Sequence, residues 1–202
     1  MENVYLVVGL GNPGAEYVRT RHNAGFLLAD NLAGKFRTGW GFERKFQAEV
    51  AMVRVAGVRV LLCKPQTYMN ASGESVSALM DYYQVPGTRL IVAVDDADLP
   101  LGELRLRGQG SPGGHHGLES IEQHLGTRDY PRLRLGIGRQ VSGVRQITGH
   151  VLGRFAAAEW DLMVKVLDRA SGQVLCWLEQ GIEKAMNQFN GAIAVPEQKD
   201  KA

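Results

Sequence analysis

VYLVVGLGNPG, residues 4–14, is the stretch that decides the fold. Its first part is a short run of β-branched and other apolar residues that ends in glycine, which predicts a buried strand. The glycine, asparagine and proline that follow predict a loop. This segment therefore predicts a buried strand that leads into a polar loop.

Further strands and helices alternate along the chain. Two strands at 48–55 and 58–63 are joined by Ala56-Gly57 in the manner of an antiparallel hairpin. This pattern predicts an α/β fold, a single three-layer domain with a mixed twisted β-sheet flanked by helices. The other predicted strands are 90–94, 103–107 and 132–137, and the predicted helices are 23–34, 72–83, 117–125, 157–169 and 173–187.

Composition bounds the class of protein. The chain has 202 residues, of which 45% are hydrophobic and 22% charged, which suits one compact domain. We expect that domain over residues 1–190 and a disordered tail over 191–202. The apolar runs are far shorter than a membrane span and no signal region is recognisable, so a cytoplasmic protein is expected. Cys63 and Cys176 lack metal-ligand spacing and are expected to be reduced and buried.

Positive charge is concentrated in one part of the chain. The net charge is only +2, but residues 99–155 hold eight arginines against four acidic residues. Arginine suits bidentate contacts with phosphate, so a nucleic-acid partner is one interpretation. A solvated charged surface is the other, and composition does not decide between them.

The loop after the first strand matches G-x-G-x-x-G at residues 9–14, a pattern found in dinucleotide-binding folds. That fold needs the glycines to lead directly into a helix, with a second strand soon after it. Here Pro13 interrupts the loop, the helix is predicted to begin near Asn23, and the next strand begins at about residue 47. The motif therefore does not indicate a nucleotide, and we expect no cofactor.

Polar side chains cluster where two predicted strands end. Asn12, Tyr17 and His22 follow the first strand, and Asp95 follows the strand at 90–94. Open α/β sheets place their ligands beyond the carboxyl ends of strands, so His22 and Asp95 are expected to meet at one edge. A carboxylate can fix the tautomer of an imidazole and stabilise its cation, which would suit a general base.

Other interpretations of these residues remain open. A lone histidine at a helix start is often structural, and Asp96 and Asp98 are typical turn formers before Pro100. Three acidic residues in four positions also suit a metal, but no histidine or cysteine pair accompanies them, and we expect no metal. The sequence has no G-x-S-x-G motif and neither cysteine has an activating neighbour, which favours direct attack by water.

Six blocks of the chain stand in a characteristic order and spacing: GLGNPGAEYVRTRHNAGF (9–26), KPQTYMNASGESV (64–76), VDDADLPLGELRLR (94–107), GGHHGLESI (113–121), YPRLRLGIGR (130–139) and GHVLGRF (149–155). Together they resemble the bacterial-type peptidyl-tRNA hydrolase family over about residues 4–190. The resemblance implies an enzyme that hydrolyses the ester between a peptide and the 3′-terminal ribose of tRNA. It also implies a role in translation and ribosome rescue, in which tRNA is recycled from drop-off peptidyl-tRNA.

The resemblance also implies roles for particular residues. His22 matches the family's catalytic base, Asp95 the acid that supports it, and Asn12 the asparagine that orients the substrate. The implied chemistry is general-base attack of water, with an amide of Asn12 or Asn70 meeting the oxyanion. Without the resemblance, Tyr68 and Met69 would also suit core packing, and Asn70 would suit a helix cap. The residues that match the groove for the peptide and the terminal adenosine are Tyr17, Tyr68, Met69 and Asn70.

One block departs from the family pattern. The family has Gly-Gly-His-Asn-Gly, whereas this chain has His116 where the asparagine contacts the acceptor end of tRNA. Histidine lacks the carboxamide's paired donor and acceptor, so affinity or pH dependence is expected to change. Arg105, Arg107 and Arg134 lie at or near basic positions of the family and are expected to hold acceptor-stem phosphates, while the CCA end is bound by stacking and base-edge contacts. Surface ion pairing is the alternative for each arginine.

The sequence also leads to expectations about mobile segments, about the oligomeric state and about alternative functions. The Gly-rich stretch 108–114 and the helix at 157–169 are expected to form mobile rims of the groove. The resemblance points to a monomer. A rival function is RNA binding without hydrolysis, because some members of this fold are recruited to organellar intron splicing. A small-molecule hydrolase or phosphorylase with a similar core would instead bind no RNA.

Overall fold

The sheet is mixed and has helices on both faces, as the sequence predicts. The computed structural model describes residues 3–138 and 149–193. In chain order the elements are β1 (Val4–Gly9), α1 (Ala24–Lys35), β2 (Gly41–Glu43), β3 (Ala48–Val55), β4 (Val58–Pro65), α2 (Ser72–Tyr83), β5 (Leu90–Asp96), β6 (Glu103–Arg107), α3 (His116–Leu125), β7 (Arg132–Gly136), α4 (Ala157–Gln180), α5 (Ile182–Phe189) and β8 (Gly191–Ala192).

The strand order places β1 inside the sheet. The order is β2-β3-β4-β1-β5-β7-β6-β8. β1 pairs in parallel with β4 and β5, and β5 pairs in parallel with β7. The predicted β3-β4 hairpin is confirmed as antiparallel. Because the four parallel strands end at the same edge of the sheet, the residues that follow β1, β4 and β5 are brought together there.

The core lies in two layers, one on each face of the sheet. Val7 of β1 belongs to the cluster on the side of α1, α4 and α5, where Leu28 of α1 is also fully buried. The next residue, Val8, belongs to the opposite cluster with Leu79 of α2. This alternation follows from the pleat of a strand, and each such buried side chain contributes about 1.5–3 kcal/mol.

Two glycines bring α1 unusually close to the sheet. A Cβ atom at Gly9 would lie 2.1 Å from the Gly25 carbonyl oxygen, and a Cβ atom at Gly25 would lie 2.3 Å from the Leu10 nitrogen and 2.4 Å from the Ala93 oxygen. The helix start therefore packs backbone against backbone on the ends of β1 and β5. Gly9, the first glycine of the apparent nucleotide motif, serves this contact, which places the residues just before α1 beside the end of β5.

The boundaries of several elements differ from those predicted. α4 is one helix through Ser171 and Gly172, where the sequence predicts a break, and the real break is at Gly181 with φ +85°. Gly172 does not end the helix because its missing side chain accommodates the ring of Phe189, 2.9 Å from where a Cβ would lie. The exposed strand β2 was not predicted because it has no apolar alternation.

The start of the predicted tail is ordered. Gly191 and Ala192, which the sequence analysis assigns to the tail, pair with Leu104 and Glu103 of β6. The rest of the predicted tail, 194–202, lies outside the described residues. Cys63 and Cys176 are buried and free of disulfides, as expected, and burial raises the pKa of the Cys63 thiol. Among the helices that the structure describes, none combines the length and apolarity that a membrane span would require.

Candidate active site

A cleft of about 770 Å³ opens at the carboxyl edge of the sheet, where β1, β4 and β5 end. Eight of the residues predicted for the site line it: Asn12, His22, Tyr68, Met69, Asn70, Asp95, His116 and Arg134. Three others, Tyr17, Arg105 and Arg107, are not among its lining residues. Residues from separate parts of the chain therefore converge as the strand-end argument predicts.

His22 and Asp95 are hydrogen-bonded at the floor of this cleft. Nδ1 of His22 lies 2.8 Å from Oδ1 of Asp95, although the two residues are 73 positions apart in the sequence. His22 stands in the short turn just before α1, and Asp95 near the end of β5. Since an ionised carboxylate only accepts hydrogen bonds, Nδ1 of His22 carries the proton and Nε2 keeps a lone pair. The side chain of His22 is 14% exposed and that of Asp95 4%, so the pair is shielded but reachable from the cleft.

The electrostatics of the pair favour a basic imidazole. Burial alone would lower the pKa of His22, but the charge and the hydrogen bond of Asp95 outweigh burial and raise that pKa above its usual value of 6.5. Burial alone would raise the pKa of Asp95, but His22 and hydrogen bonds from both imidazoles hold it well below its usual range. Asp95 is therefore ionised at neutral pH and faces an imidazole that readily accepts a proton.

His115 is a third member of this cluster, which the sequence analysis missed. Its Nε2 lies 3.2 Å from the same Oδ1 of Asp95, and its Nδ1 accepts a hydrogen bond from the Leu118 N–H at the start of α3, 3.4 Å away. Because Nδ1 accepts, the proton is on Nε2 and is donated to Asp95. The only signal for it in the sequence is the His115-His116 pair, of which His116 departs from the family pattern and His115 does not.

Asn12 is held in a fixed orientation. Its backbone N–H donates to Oδ1 of Asn23 at 2.9 Å, and Nδ2 of Asn23 donates to its backbone oxygen at 3.0 Å. Its own Oδ1 accepts from the Met69 N–H at 2.8 Å. The carboxamide nitrogen of Asn12 must therefore point away from Met69, and it has no hydrogen-bond partner among the described residues. Asn23 precedes α1 as predicted, but its side chain orders the loop and does not cap the helix.

The segment after β4 supplies one wall of the cleft. Tyr68 is 64% exposed, which rules out the alternative that it fills the core, whereas Met69 is buried and also lines the cleft. Asn70 is exposed and its side chain makes no hydrogen bond within the described part of the chain. The alternative of a helix cap is therefore wrong, because α2 begins after Ala71 with no side-chain cap. Among the residues that the structure describes, the polar groups of the Tyr68 and Asn70 side chains have no hydrogen-bond partner, which leaves them available to a bound molecule.

A second wall comes from a segment that the sequence analysis did not assign to the cleft. Val151 and Leu152, which come later in the sequence than the other lining residues, line the cleft on this side. The segment is attached beside His22, because the Arg21 N–H donates to the Gly153 oxygen at 3.0 Å and Nη2 of Arg21 lies 2.6 Å from Glu159. Its residues include an apolar pair, so this side of the cleft suits an uncharged ligand group.

The cluster also has the composition of a metal site. Ligand atoms of His22, Asp95 and His115 all lie within 4.8 Å of one another, the one such group among residues 3–138 and 149–193. Both imidazoles, however, approach one carboxylate oxygen at hydrogen-bonding distances of 2.8 and 3.2 Å. Hydrogen bonds account for this arrangement, since each imidazole has a proton to donate to Asp95.

The three arginines that are expected to hold acceptor-stem phosphates have two different environments. Arg105 and Arg107 are exposed on β6, and neither forms an ion pair with a described residue. Arg134 is mostly buried, at 18% exposure, and pairs with Asp96, with Nη1 to Oδ2 at 3.1 Å. The alternative of ion pairing within the protein therefore holds for Arg134. Asp96 also accepts the Asp98 N–H at 2.8 Å, as predicted for a turn former.

Comparisons with known proteins show which family this chain belongs to. The sequence model of the peptidyl-tRNA hydrolase family matches residues 6–200. The chain belongs to the peptidyl-tRNA hydrolase family. A peptidyl-tRNA hydrolase of Synechococcus sp. (strain JA-2-3B'a(2-13)) is 48% identical over 188 residues, which are 93% of this chain and 84% of the relative. One of Synechocystis sp. is 45% identical over 191 residues, 95% of this chain and 98% of the relative.

Solved structures of the family share the fold. The crystal structure of peptidyl-tRNA hydrolase from Acinetobacter baumannii matches with a TM-score of 0.88 and 40% identity, covering 95% of this chain and 97% of that one. An Arg119Gln mutant of the same protein matches with a TM-score of 0.88 and 41% identity, with the same coverage. Membership in the peptidyl-tRNA hydrolase family confirms the resemblance and the α/β fold, and it places this chain among hydrolases.

Proposed function

We propose that this chain is an active peptidyl-tRNA hydrolase that uses His22 as a general base. The observation that carries the proposal is the 2.8 Å contact between His22 and Asp95 at the floor of the cleft. The substrate is the ester between a peptide and the 3′-terminal ribose of tRNA, and the products are the free peptide and tRNA. Such a reaction recycles tRNA from peptidyl-tRNA that has dropped off the ribosome.

Water is the nucleophile in this mechanism. Nε2 of neutral His22 takes a proton as the water oxygen attacks the ester carbonyl, and ionised Asp95 stabilises the imidazolium that forms. When the ester bond breaks, the imidazolium returns its proton to the ribose oxygen. His115 donates its Nε2–H to the same carboxylate and so holds Asp95 in place. The chemistry requires neither a covalent intermediate nor a cofactor.

Two amide donors are available for the oxyanion. The carboxamide nitrogen of Asn12 has no partner among the described residues, and its orientation is fixed by the Met69 N–H. The Asn70 carboxamide, also in the cleft wall, has no described partner either. One such donor is worth roughly 10² to 10³ in rate. We assign this role to Asn12, because it is preorganised, and a contact with the substrate backbone to Asn70.

The rest of the cleft suits the CCA end and the peptide. The exposed ring of Tyr68 offers a stacking surface for the terminal adenine. Met69 on one wall and Val151 and Leu152 on the other give apolar surfaces for the peptide. Tyr17, which the family resemblance places along the groove, is half-buried in the loop before His22 and outside the cleft lining. A contact of Tyr17 with substrate therefore remains a prediction.

Arg105 and Arg107 are the proposed contacts to the acceptor-stem phosphates. Replacing either with glutamine should lower the slope of log affinity against log salt by about one, because one phosphate contact is lost. The measurement is binding of deacylated tRNA across a salt series. Arg37, which is exposed just after α1 and is not among the cleft lining residues, provides the control Arg37→Gln. A slope as steep as that of the native protein in both variants would rule out these contacts.

His116 is expected to affect binding more than chemistry. It is exposed at the start of α3, and its Nδ1 lies 2.8 Å from Glu119, so one ring nitrogen remains for substrate. His116→Asn would restore a donor and an acceptor together, and we expect it to lower KM by about 2-fold to 10-fold with kcat unchanged, the value of one hydrogen bond. Gln123→Asn on the same helix is the control. Identical KM values in native protein and His116→Asn would show that position 116 does not contact the substrate.

The activity itself is tested by release of tRNA from N-acetyl-aminoacyl-tRNA, with unblocked aminoacyl-tRNA in parallel. Selective hydrolysis of the blocked substrate is expected. Tight binding of tRNA without turnover would instead favour an RNA-binding relative that lacks hydrolysis. Absence of salt-sensitive tRNA binding would favour a small-molecule hydrolase.

Domain extent and assembly complete the proposal and rest on the family resemblance, whereas location rests on the expectation from the sequence. We propose one catalytic domain over about residues 1–190 that acts as a monomer in the cytoplasm. Light scattering after gel filtration tests the assembly, and a mass near 22.1 kDa is expected.

A further inference from the structure

The apolar wall of the cleft, residues 151–152, is attached to the rest of the protein on both sides. Just before the wall, Nε2 of His150 donates to the Gly138 carbonyl oxygen at 2.7 Å. Just after it, the Gly153 oxygen accepts the backbone N–H of Arg21 at 3.0 Å. Because Arg21 directly precedes the proposed general base, the apolar wall is connected to that base through a single neighbouring residue.

The side chain of Arg21 extends this attachment beyond the backbone. Its Nη1 donates to the Arg154 oxygen at 2.9 Å, and its Nη2 lies 2.6 Å from Oε2 of Glu159. The guanidinium also lies over the ring of Phe155, 5.3 Å from the ring centroid. Only 8% of the Arg21 side chain is exposed, and Arg21 is not among the residues that line the cleft. Its charge is therefore used within the protein.

Glu159 joins Arg21 to the start of α4. The same Oε2 accepts the Ala156 N–H at 2.7 Å, at the end of the helix where backbone N–H groups lack partners within the helix. Burial opposes ionisation, but hydrogen bonds from Arg21 and from the Ala156 N–H lower the pKa of Glu159 below its usual value. One ionised carboxylate thus connects the loop before His22 to the segment that carries the apolar wall.

The position of the apolar wall determines which part of the substrate it meets. The ester carbonyl must lie within reach of a water molecule that is bonded to His22. In a peptidyl-tRNA, the side chain of the last peptide residue is attached to the carbon next to this carbonyl. A wall that is attached through the neighbour of His22 is therefore placed to meet that side chain. Leu152 is 42% exposed, so the wall is an open surface and its effect on selectivity is graded.

We propose that Arg21 and Glu159 are positioning residues that hold the apolar wall beside His22, where it favours substrates whose last peptide residue has a large apolar side chain. The inference rests on the proposed hydrolase function and deepens it by assigning a preference within the substrate class. Neither Arg21 nor Glu159 touches the substrate. Both act through the apolar wall, residues 151–152.

A comparison of two substrates tests this preference. N-acetyl-leucyl and N-acetyl-glycyl esters of the same tRNA differ only in the side chain next to the ester carbonyl. For the native protein we expect kcat/KM to be about 3-fold to 10-fold higher for the leucyl ester, less than an enclosed pocket achieves. In Glu159→Gln and Arg21→Gln this ratio should fall to about one, chiefly through the leucyl ester. A loss of stability alone lowers the active fraction for both substrates equally and leaves the ratio unchanged.

A double variant shows whether Glu159 acts through the apolar wall. Leu152→Ala should abolish the preference, and Glu159→Gln added to it should change the ratio no further, because the group that it positions is gone. Lys35→Gln is the matched control. It removes another ion pair to α4, from Nζ of Lys35 to Asp168 at 2.9 Å, and neither residue lines the cleft. The ratio in Lys35→Gln should stay native.

Three results would overturn the proposal: a ratio near one in an active native protein, a native ratio in Leu152→Ala, or a native ratio in Glu159→Gln. If Arg21→Gln does not fold, as judged by its thermal unfolding, Glu159→Gln decides the outcome alone. Glu159 is 26% exposed in its side chain and lies at a helix start, so its replacement by the isosteric amide is compatible with the fold.

Methyl NMR separates this inference from the proposed function. We expect the methyl resonances of Val151 and Leu152 to shift in Glu159→Gln and to stay in place in Lys35→Gln. An inactive native protein that shows these shifts would refute the hydrolase proposal and leave the positioning of the apolar wall supported. Unchanged methyl resonances in Glu159→Gln would refute the positioning role even if the native protein is an active hydrolase.

Discussion

Replacing His22 with alanine is expected to lower kcat/KM on N-acetyl-aminoacyl-tRNA by about 10² to 10⁴, the usual contribution of a general base. Among the described residues on the cleft floor, only the His22 imidazole has both a free lone pair, on Nε2, and a carboxylate bonded to its other nitrogen. The distance from Nδ1 of His22 to Oδ1 of Asp95 is 2.8 Å. Without it, water must attack unassisted. The measurement is initial rates of tRNA release under saturating and subsaturating substrate.

The interpretation of this loss requires an intact fold and intact binding. The thermal midpoint and the affinity for deacylated tRNA should stay close to native values in His22→Ala, since the side chain is not part of either core layer. His124→Ala is the matched control, because His124 lies outside the cleft lining, with its Nδ1 bonded to the Ser120 oxygen. Turnover retained by His22→Ala would show that another group activates the water.

Replacing Asp95 with asparagine is expected to reduce kcat by about 10² to 10⁴ and to move the pH profile. The upper limit corresponds to the loss of about 10⁴ that the same change causes in a Ser-His-Asp triad, where the wrong tautomer results. Asparagine can accept from one imidazole, but it provides no charge to stabilise the imidazolium. Two N–H donors, from His22 and His115, converge on Oδ1 of Asp95, and an uncharged amide serves both poorly.

The direction of the pH shift follows from the effects that burial and Asp95 have on the pKa of His22. The base must be neutral, so activity rises with pH as His22 loses its proton, and the raised pKa places this acid limb above pH 6.5 in the native protein. Asp95→Asn removes the charge that raises the pKa and leaves burial, which lowers it. The acid limb of kcat/KM should therefore move to lower pH. A limb that stays in place or moves to higher pH would contradict the role of Asp95.

Much of the site could be predicted from the sequence because it depends on strand ends. The apolar runs before Asn12 and Asp95 identify two buried strands, and the carboxyl ends of parallel strands meet at one edge. His22 and Asp95 could therefore be placed together without knowledge of any other contact. The family resemblance added Tyr68, Met69 and Asn70, which a propensity argument would have assigned to the core or to a cap.

The parts that were not predicted depend on side-chain partners or on packing between distant elements. Nothing in the spacing of Arg134 shows that it faces Asp96 and a loop carbonyl and not solvent, because a strand pattern gives only the face of the sheet. His115 reaches Asp95 through a loop whose path is set by two left-handed glycines. Nothing local in the sequence shows that Gly172 lies inside one continuous helix, because the Phe189 ring that packs where its side chain would lie comes from the next helix.

The contact between Gly9 and Gly25 has a consequence for how this enzyme can change. The atoms that would collide with an added methyl group at either position include main-chain atoms, which no replacement of a neighbouring side chain can remove. A library that varies the apolar wall of the cleft, at positions such as 151 or 152, can therefore explore new peptide preferences without disturbing the base. Mutations at 9 or 25 would separate His22 from Asp95, and compensating changes elsewhere would have to move a whole helix to bring them back.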